Sequence, residues 1–172
     1  MKIRLVTLGL LSSAAFLGCT IANAPMSAKE FREVVKNNPK YTHSEVYTVN
    51  VPYQTVLNNF KQLAPKCLDV TVKSSSYSST QGVSNSYEYY KHTLLTGKSS
   101  AELHVQRLQP VDQVYIKQPE DGSYIVVADA ANAGANKTRI TLSYATMFGT
   151  PVATAIKGWS HNKNLSCPDL RH

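Results

Sequence analysis

The first nineteen residues decide how much of this chain is available to fold, and in which chemical surroundings. Met1-Lys2-Ile3-Arg4 is a short basic start, and Leu5 to Leu17 follows as thirteen apolar or small residues. Phe16-Leu17-Gly18 then leads into Cys19. A charged start, an apolar stretch of about 7–15 residues and a small residue before the cut are the marks of a secretory signal peptide. A core helix is the poorer reading, because the run stands at the extreme N-terminus behind two cations. Crossing a bilayer takes about 20 apolar residues, and no later stretch approaches that. The expectation is an exported chain in which residues 1–18 take no part in the fold.

Phe16-Leu17-Gly18-Cys19 resembles the lipobox of bacterial lipoproteins, where signal peptidase II cuts before the cysteine and acyl chains, palmitate among them, are added to it. Phe16 departs from the Leu more usual at that place. A rival cut at Ala22-Asn23-Ala24 fits the A-x-A pattern of ordinary secretion, but it would leave Pro25 first, where the ordinary peptidase works badly. The resemblance implies lipidation of Cys19, and two or more acyl chains anchor a protein stably where one does not. Thr20 rather than Asp follows the cysteine. By similarity to Gram-negative lipoproteins, that implies the inner leaflet of the outer membrane, facing the periplasm. A soluble periplasmic or secreted protein is the alternative.

With Cys19 assigned to lipid, or discarded by the rival cut, Cys67 and Cys167 remain as one pair in a compartment that permits disulfides. Their bond would close a loop of about 100 residues, worth about 4.7 kcal/mol of chain entropy. A reactive thiol or a zinc site is the alternative, but there is no C-x-x-C and no histidine at ligand spacing. Loss of Lys2 and Arg4 takes the formal charge from +7 to +5. The 13 basic positions outside residues 1–36 are scattered, as on a solvated surface with weak attraction to anionic head groups or glycans. A nucleic-acid partner would need a basic stripe, so none is expected. About 150 residues are enough for one domain with a real core.

Residues 19–26 read as a tether. Ser27-Ala28-Lys29-Glu30 forms a capping box, with Met26 and Phe31 as a hydrophobic staple. Phe31, Val34 and Val35 give that helix one apolar stripe, and Asn37-Asn38-Pro39 ends it. It reads as a lever between anchor and domain. Tyr47, Val49 and Val51 alternate as a half-buried strand. Pro52 suits a first helical position, and Tyr53, Val56, Leu57, Phe60, Leu63 and Ala64 follow helical spacing until Pro65. Leu68, Val70 and Val72 alternate again. Residues 74–86 read as a long loop or a solvated hairpin. Strands are expected at Tyr87–Leu95, Glu102–Leu108, Gln113–Lys117 and Tyr124–Ala130, with a turn at Glu120-Asp121-Gly122 and a small-residue loop over Ala131–Asn136. Ile140, Leu142, Tyr144 and Phe148 form the clearest alternating strand. Thr150 as N-cap and Pro151 in the first turn announce a last helix lined by Val152, Ala155, Ile156 and Trp159.

The order predicts an α+β fold: an antiparallel sheet of six to seven strands, two amphipathic helices packed on one face, and a short N-terminal helix. A Cys67–Cys167 bond is reasonable only if both helices share that face. The expected organisation is a signal peptide over 1–18, an anchor, tether and short helix over 19–40, and one globular domain over 41–172. The lipobox, the Val51–Cys67-Leu68 helix and the Ile156-Lys157-Gly158-Trp159…Cys167-Pro168 ending together resemble a group of small, uncharacterised proteobacterial lipoproteins. That group brings no function to transfer. The strand–helix–strands–helix order is also similar to helix-grip folds, which hold apolar ligands between sheet and final helix. This is analogy alone, and a final helix of about ten residues is short for it.

Catalytic signatures are sparse. Ser160-His161-Asn162-Lys163 fits S-x-x-K, but the companion S-D-N and K-T-G motifs are absent, and so short a pattern recurs by chance. G-x-S-x-G and Gly-rich phosphate loops are missing. The five histidines, His43, His92, His104, His161 and His172, lack H-x-x-x-H and H-E-x-x-H spacing. His92 and His104 would approach each other only across adjacent strands, near Glu88 or Glu102. No metal, cofactor or catalytic residue is assigned. The sequons Asn136-Lys137-Thr138 and Asn164-Leu165-Ser166 carry little meaning in a bacterial envelope.

The Tyr/Ser segment is the most unusual composition. Tyrosines among small hydroxyl residues give amphipathic contact area at low entropy cost, so Tyr77, Tyr87, Tyr89 and Tyr90 are a candidate contact surface for an envelope protein or glycan. A solvated hairpin without a partner is the plainer reading. Trp159 is a core residue, or else the roof of a ligand cavity. Three functions follow: a non-enzymatic, membrane-anchored envelope module; a carrier or sensor of a small apolar ligand; an envelope enzyme. A cavity between sheet and helices would favour the second, convergent titratable groups the third, and a filled interior the first.

Overall fold

The computed structural model describes residues 22–78, 82–109 and 116–171; Cys19 and the proposed signal peptide lie outside them. Six strands form one antiparallel sheet: β2 (Thr42–Val49), β3 (Thr71–Ser78), β4 (Gly82–Thr96), β5 (Ser100–Leu108), β7 (Ser123–Asn132) and β8 (Thr138–Ala145). Their spatial order is β2-β8-β7-β5-β4-β3. A separate two-residue parallel pair joins β1 (Ala22–Asn23) to β6 (Ile116–Lys117). The helices are α1 (Ala28–Asn37), α2 (Tyr53–Leu68) and α3 (Thr146–Ser160).

The sheet is sandwiched. On one face α2 and α3 bury Val56, Phe60, Leu68, Val152, Ile156 and Trp159 against Leu103, Val105, Val126, Ala128, Ile140 and Leu142. Each of these side chains is fully buried, and each such burial stabilises by about 1.5–3 kcal/mol before entropy is counted. Val127 points the other way, and the register shift opposite Val105/Gln106 brings Tyr124 to the same side, so both meet Ala28, Phe31 and Val35 of α1. The helix expected as a lever is thus docked on the sheet. Ser27 Oγ accepts from the Glu30 amide at 3.2 Å, and Glu30 Oε2 accepts from the Met26 amide at 2.9 Å. Val34, expected in the buried stripe, is 40% exposed, because three apolar positions are more than one narrow contact line needs.

Pro65 and Pro151 both lie further inside helices than their sequence context suggests. α2 runs through Pro65 to Leu68. Pro65 leaves the Lys61 carbonyl without a helical donor, but both residues are exposed and water serves that group. The buried face of Ala64, Cys67 and Leu68 holds the last turn together, so Leu68 is helical rather than the start of a strand. Pro52 stands at the N-cap instead of the first turn. α3 begins at Thr146, four residues before the expected cap, and takes Phe148 with it. Thr150 Oγ1 donates to the Thr146 carbonyl at 2.6 Å. Gly149 is there for proximity: a Cβ would lie 2.5 Å from the Ile125 carbonyl oxygen.

Strand expectations over 87–95, 102–108 and 124–130 are matched, as is the solvated-hairpin reading of the Ser-rich segment. Of the strand expected over Gln113–Lys117, residues 113–115 lie outside the described residues and Ile116–Lys117 form β6. β7 extends to Asn132, which shortens the loop that follows. Gly122, at φ +95° between Pro119 and β7, makes the expected turn and has no room for a Cβ against Arg107. Cys67 and Cys167 are disulfide-bonded across a sequence separation of 100, with Cα atoms 5.1 Å apart. The bond ties the last turn of α2 to the segment after α3, on the same face.

Candidate functional site

The β3–β4 hairpin carries several exposed apolar and aromatic side chains. β3 pairs with β4 from Thr71↔Tyr89 to Ser78↔Gly82. β5 meets β4 only from Tyr89 to Thr96, so Gly82–Glu88 and most of β3 run out beyond the sheet. On the projecting ribbon Val83 is 67%, Tyr87 43% and Tyr89 42% exposed. Lys73 Nζ stands over the Tyr87 ring, 5.9 Å from its centre. Ser75 Oγ donates to Asn85 Oδ1 at 2.6 Å. The side chain of Tyr77 lies outside the described residues.

Tyr90 is different. Strand alternation turns it opposite to Tyr89, and at 3% exposure it cannot belong to a contact surface. Its hydroxyl donates to Glu88 Oε2 at 3.0 Å. Glu88 in turn accepts two bonds from Arg107, both 2.8 Å, and the guanidinium lies 3.8 Å from the Phe148 ring centre. Burial, with the Glu88 carboxylate beside it, pushes the Tyr90 phenol well above its ordinary range. A charge-assisted bidentate pair of this kind fixes orientation. The hairpin is therefore exposed at Val83, Tyr87 and Tyr89 and pinned at its root.

A second cluster occupies the α1 face. Glu102 and Asp129 are register partners on β5 and β7. Arg32 Nη2 reaches Glu102 Oε2 at 2.6 Å and Asp129 Oδ1 at 2.7 Å, and His104 Nε2 is paired with Glu102 Oε1. Burial raises the Glu102 carboxyl, but bonds from His104 and Arg32 outweigh it and hold it below the ordinary range. Burial also raises Asp129; Arg32 opposes it, Glu102 adds to it, and the group stays above its ordinary value. Both carboxylates are thus engaged by one guanidinium that fastens α1. A groove of about 270 Å³ beside them is lined by Thr96, Gly97, Ser100, Ala101 and Ala131.

The remaining sequence candidates separate. His92 pairs with Asp69, Nδ1 to Oδ1 at 2.8 Å, on the helix face, whereas His104 lies edge-on to Tyr124 on the α1 face. Their strands adjoin, but His92 aligns with Val105 and His104 with Thr93, so the two imidazoles point to opposite sides. Among the described residues no group of three or more His, Cys, Asp or Glu is placed to hold a metal ion. Ser160 of the S-x-x-K match is fully buried. Its Oγ donates to the Lys157 carbonyl at 2.8 Å and lies 3.2 Å from the Tyr47 hydroxyl. Burial has pushed Tyr47 up to about 12, which suits it poorly to act as a base. His161 stacks on the Tyr47 ring at 5.8 Å, and Lys163 is exposed.

Trp159 is fully buried in the main core. Its Nε1 donates to the Ser166 carbonyl at 2.9 Å, and its own carbonyl accepts from Asn59 Nδ2 at 2.8 Å. It joins α2, α3 and the C-terminal segment and is packed rather than poised over a hollow. Grooves of about 440 Å³ lie at the surface beside the disulfide, near Lys66, Val70 and Leu170, and beside Ala24, Pro25 and Val34.

No protein-family model and no curated protein matches the chain. Among solved structures it is similar to the di-domain ARO/CYC BexL from the BE-7585A biosynthetic pathway, with 8% identity and a TM-score of 0.34. That match covers 81% of this chain, which spans 55% of the di-domain chain. It is also similar to Ara h 8.0201, with 12% identity, a TM-score of 0.34, and coverage of 71% and 93% of the two chains. Likeness at this level carries no argument about ligand or reaction.

Proposed function

We propose that this chain is a lipid-anchored module of a Gram-negative cell envelope, held through Cys19 at the outer membrane and facing the periplasm, which works by contact rather than by catalysis. The β3–β4 hairpin is its contact surface, presented to an envelope protein or a glycan. The observation that carries this reading is the division of apolar surface. Between sheet and helices the space is filled by Trp159, Phe60, Leu103 and Ile156, while Val83, Tyr87 and Tyr89 stand on a projecting ribbon. A carrier of apolar ligands needs the opposite arrangement, with the hollow inside. The address comes from the lipobox resemblance.

Deleting residues 75–85 and capturing partners from detergent-solubilised envelopes tests the contact surface. Partners retained by the intact protein should be lost; an unchanged set ends this part of the reading. Radiolabelled palmitate entering the intact protein but not Cys19→Ala supports the anchor, and no incorporation removes it. Native mass spectrometry of the soluble domain should find it without an apolar guest, and a co-purified one would return the carrier reading.

A further inference from the structure

We infer that the end of the sheet carrying β1 and β6 lies against the bilayer, so that the domain is held at a fixed attitude on a phospholipid surface. This rests on the Cys19 anchor proposed above. Ala22 and Asn23 pair with Ile116 and Lys117, and the Ala24 amide donates to the Lys117 carbonyl at 2.9 Å. Residue 22 is thus already held to the folded body. Only Thr20 and Ile21 stand between it and the acylated cysteine. Three residue steps reach at most about 11 Å, roughly the thickness of a head-group layer, so the body cannot swing freely on its tether.

The registers say which end is held. β6 falls in the connection between the Leu108 end of β5 and the Ser123 start of β7. The opposite end carries the β4–β5 turn with exposed Lys98. The nine residues of β5 separate the two ends by about 25–30 Å. Charges on the held end are mixed, with Lys29 beside Glu30 and Glu33 along one groove and Lys91 beside Glu120 and Asp121 along another. Attraction to anionic lipid therefore does not set the attitude; chain length does. The β3–β4 hairpin leaves the sheet beyond Leu108, which is this same end. Tyr87 and Tyr89, at the root of that hairpin, therefore fall at the held end.

The test uses the full-length acylated protein in vesicles of phosphatidylethanolamine and phosphatidylglycerol containing a head-group nitroxide lipid. Acylation blocks Cys19 and the disulfide occupies Cys67 and Cys167, so one introduced cysteine is the single free thiol for a fluorophore. A label on Lys117→Cys should be quenched several-fold more than one on Lys98→Cys, with little dependence on salt. Inserting about 20 Gly/Ser residues between Thr20 and Ile21, a flexible reach of roughly 25 Å, should bring the first label down to the second. Equal quenching in protein that floats with the vesicles overturns the fixed attitude and leaves the anchor standing. Protein that does not float overturns the anchor and this inference with it.

Discussion

The two faces of the sheet are covered by different means. On one, α2 and α3 close over an apolar layer and are tied by the Cys67–Cys167 bond and by Asn59 on the Trp159 carbonyl. Its main ionic pair, Glu88 with Arg107, sits at the hairpin margin. On the other, a single ten-residue helix rests on a small patch of Ala28, Phe31 and Val35 and is fastened by Arg32 to Glu102 and Asp129. Apolar burial is indifferent to pH and shared among many contacts; ionic fastening depends on charge state and a few atoms. The helix face should therefore set global stability, and the α1 face should open locally first.

Substitutions on the helix face should give the largest effects. Trp159→Ala removes a fully buried side chain and leaves the Ser166 carbonyl without its indole donor, so a loss of about 3–5 kcal/mol is expected, read from urea unfolding. A loss below about 1 kcal/mol would mean that this face is not the main core. The double variant Cys67→Ala/Cys167→Ala should lose about 2–4 kcal/mol through the freed loop. A midpoint unchanged by reduction would show that the staple contributes nothing.

The α1 face predicts a smaller and pH-dependent effect. Glu102 is held below its ordinary value in the folded chain. Its contribution is therefore present above the unfolded carboxyl value of about 4.3 and is lost as pH falls through the lower folded one. Asp129 is raised by burial, so its contribution is complete below its unfolded value and is lost as pH rises through the folded one. The two act in opposite senses, so the wild-type profile carries only their difference. Glu102→Gln should separate them: about 0.5–1 kcal/mol less stable near pH 7, given its partial exposure, with the difference closing near pH 3. A gap of constant size from pH 3 to pH 7 would mean that the Glu102 charge has no part in docking α1.

That contrast also marks what the sequence could reveal. The helix face was legible because its signals are local: apolar spacing in α2 and α3, alternation in β5 to β8, and two cysteines left to pair. Its boundaries were not, since local propensity makes Pro65 a stop and Pro151 a first-turn residue, whereas burial of Leu68 and the approach of Gly149 to β7 are tertiary facts. The Arg32–Glu102–Asp129 cluster escaped because Arg32 and Asp129 are 97 residues apart and meet only through the β5–β7 register. Asp129 does stand out as an acid within the mostly apolar β7, which was a usable hint. His92 and His104 were grouped without regard to the β4–β5 turn, which aligns them one residue out of register and so on opposite faces. Tyr90 was grouped with Tyr89 although neighbours on a strand face opposite ways.

The smallest expected change sharpens the same division within one hairpin. Tyr87 and Tyr90 are three residues apart, yet one is 43% and the other 3% exposed. Tyr87→Ala gives up partial contact and the Lys73 ammonium at 5.9 Å, worth about 0.5 kcal/mol at an exposed site. Its urea midpoint should stay within about 0.5 kcal/mol of wild type, while Tyr90→Phe, which leaves Glu88 short of a donor at 3.0 Å, should fall by about 1 kcal/mol. If Tyr87→Ala were the more damaging of the two, the ribbon would be packed against the body, and its aromatic face would be structural rather than free for a partner.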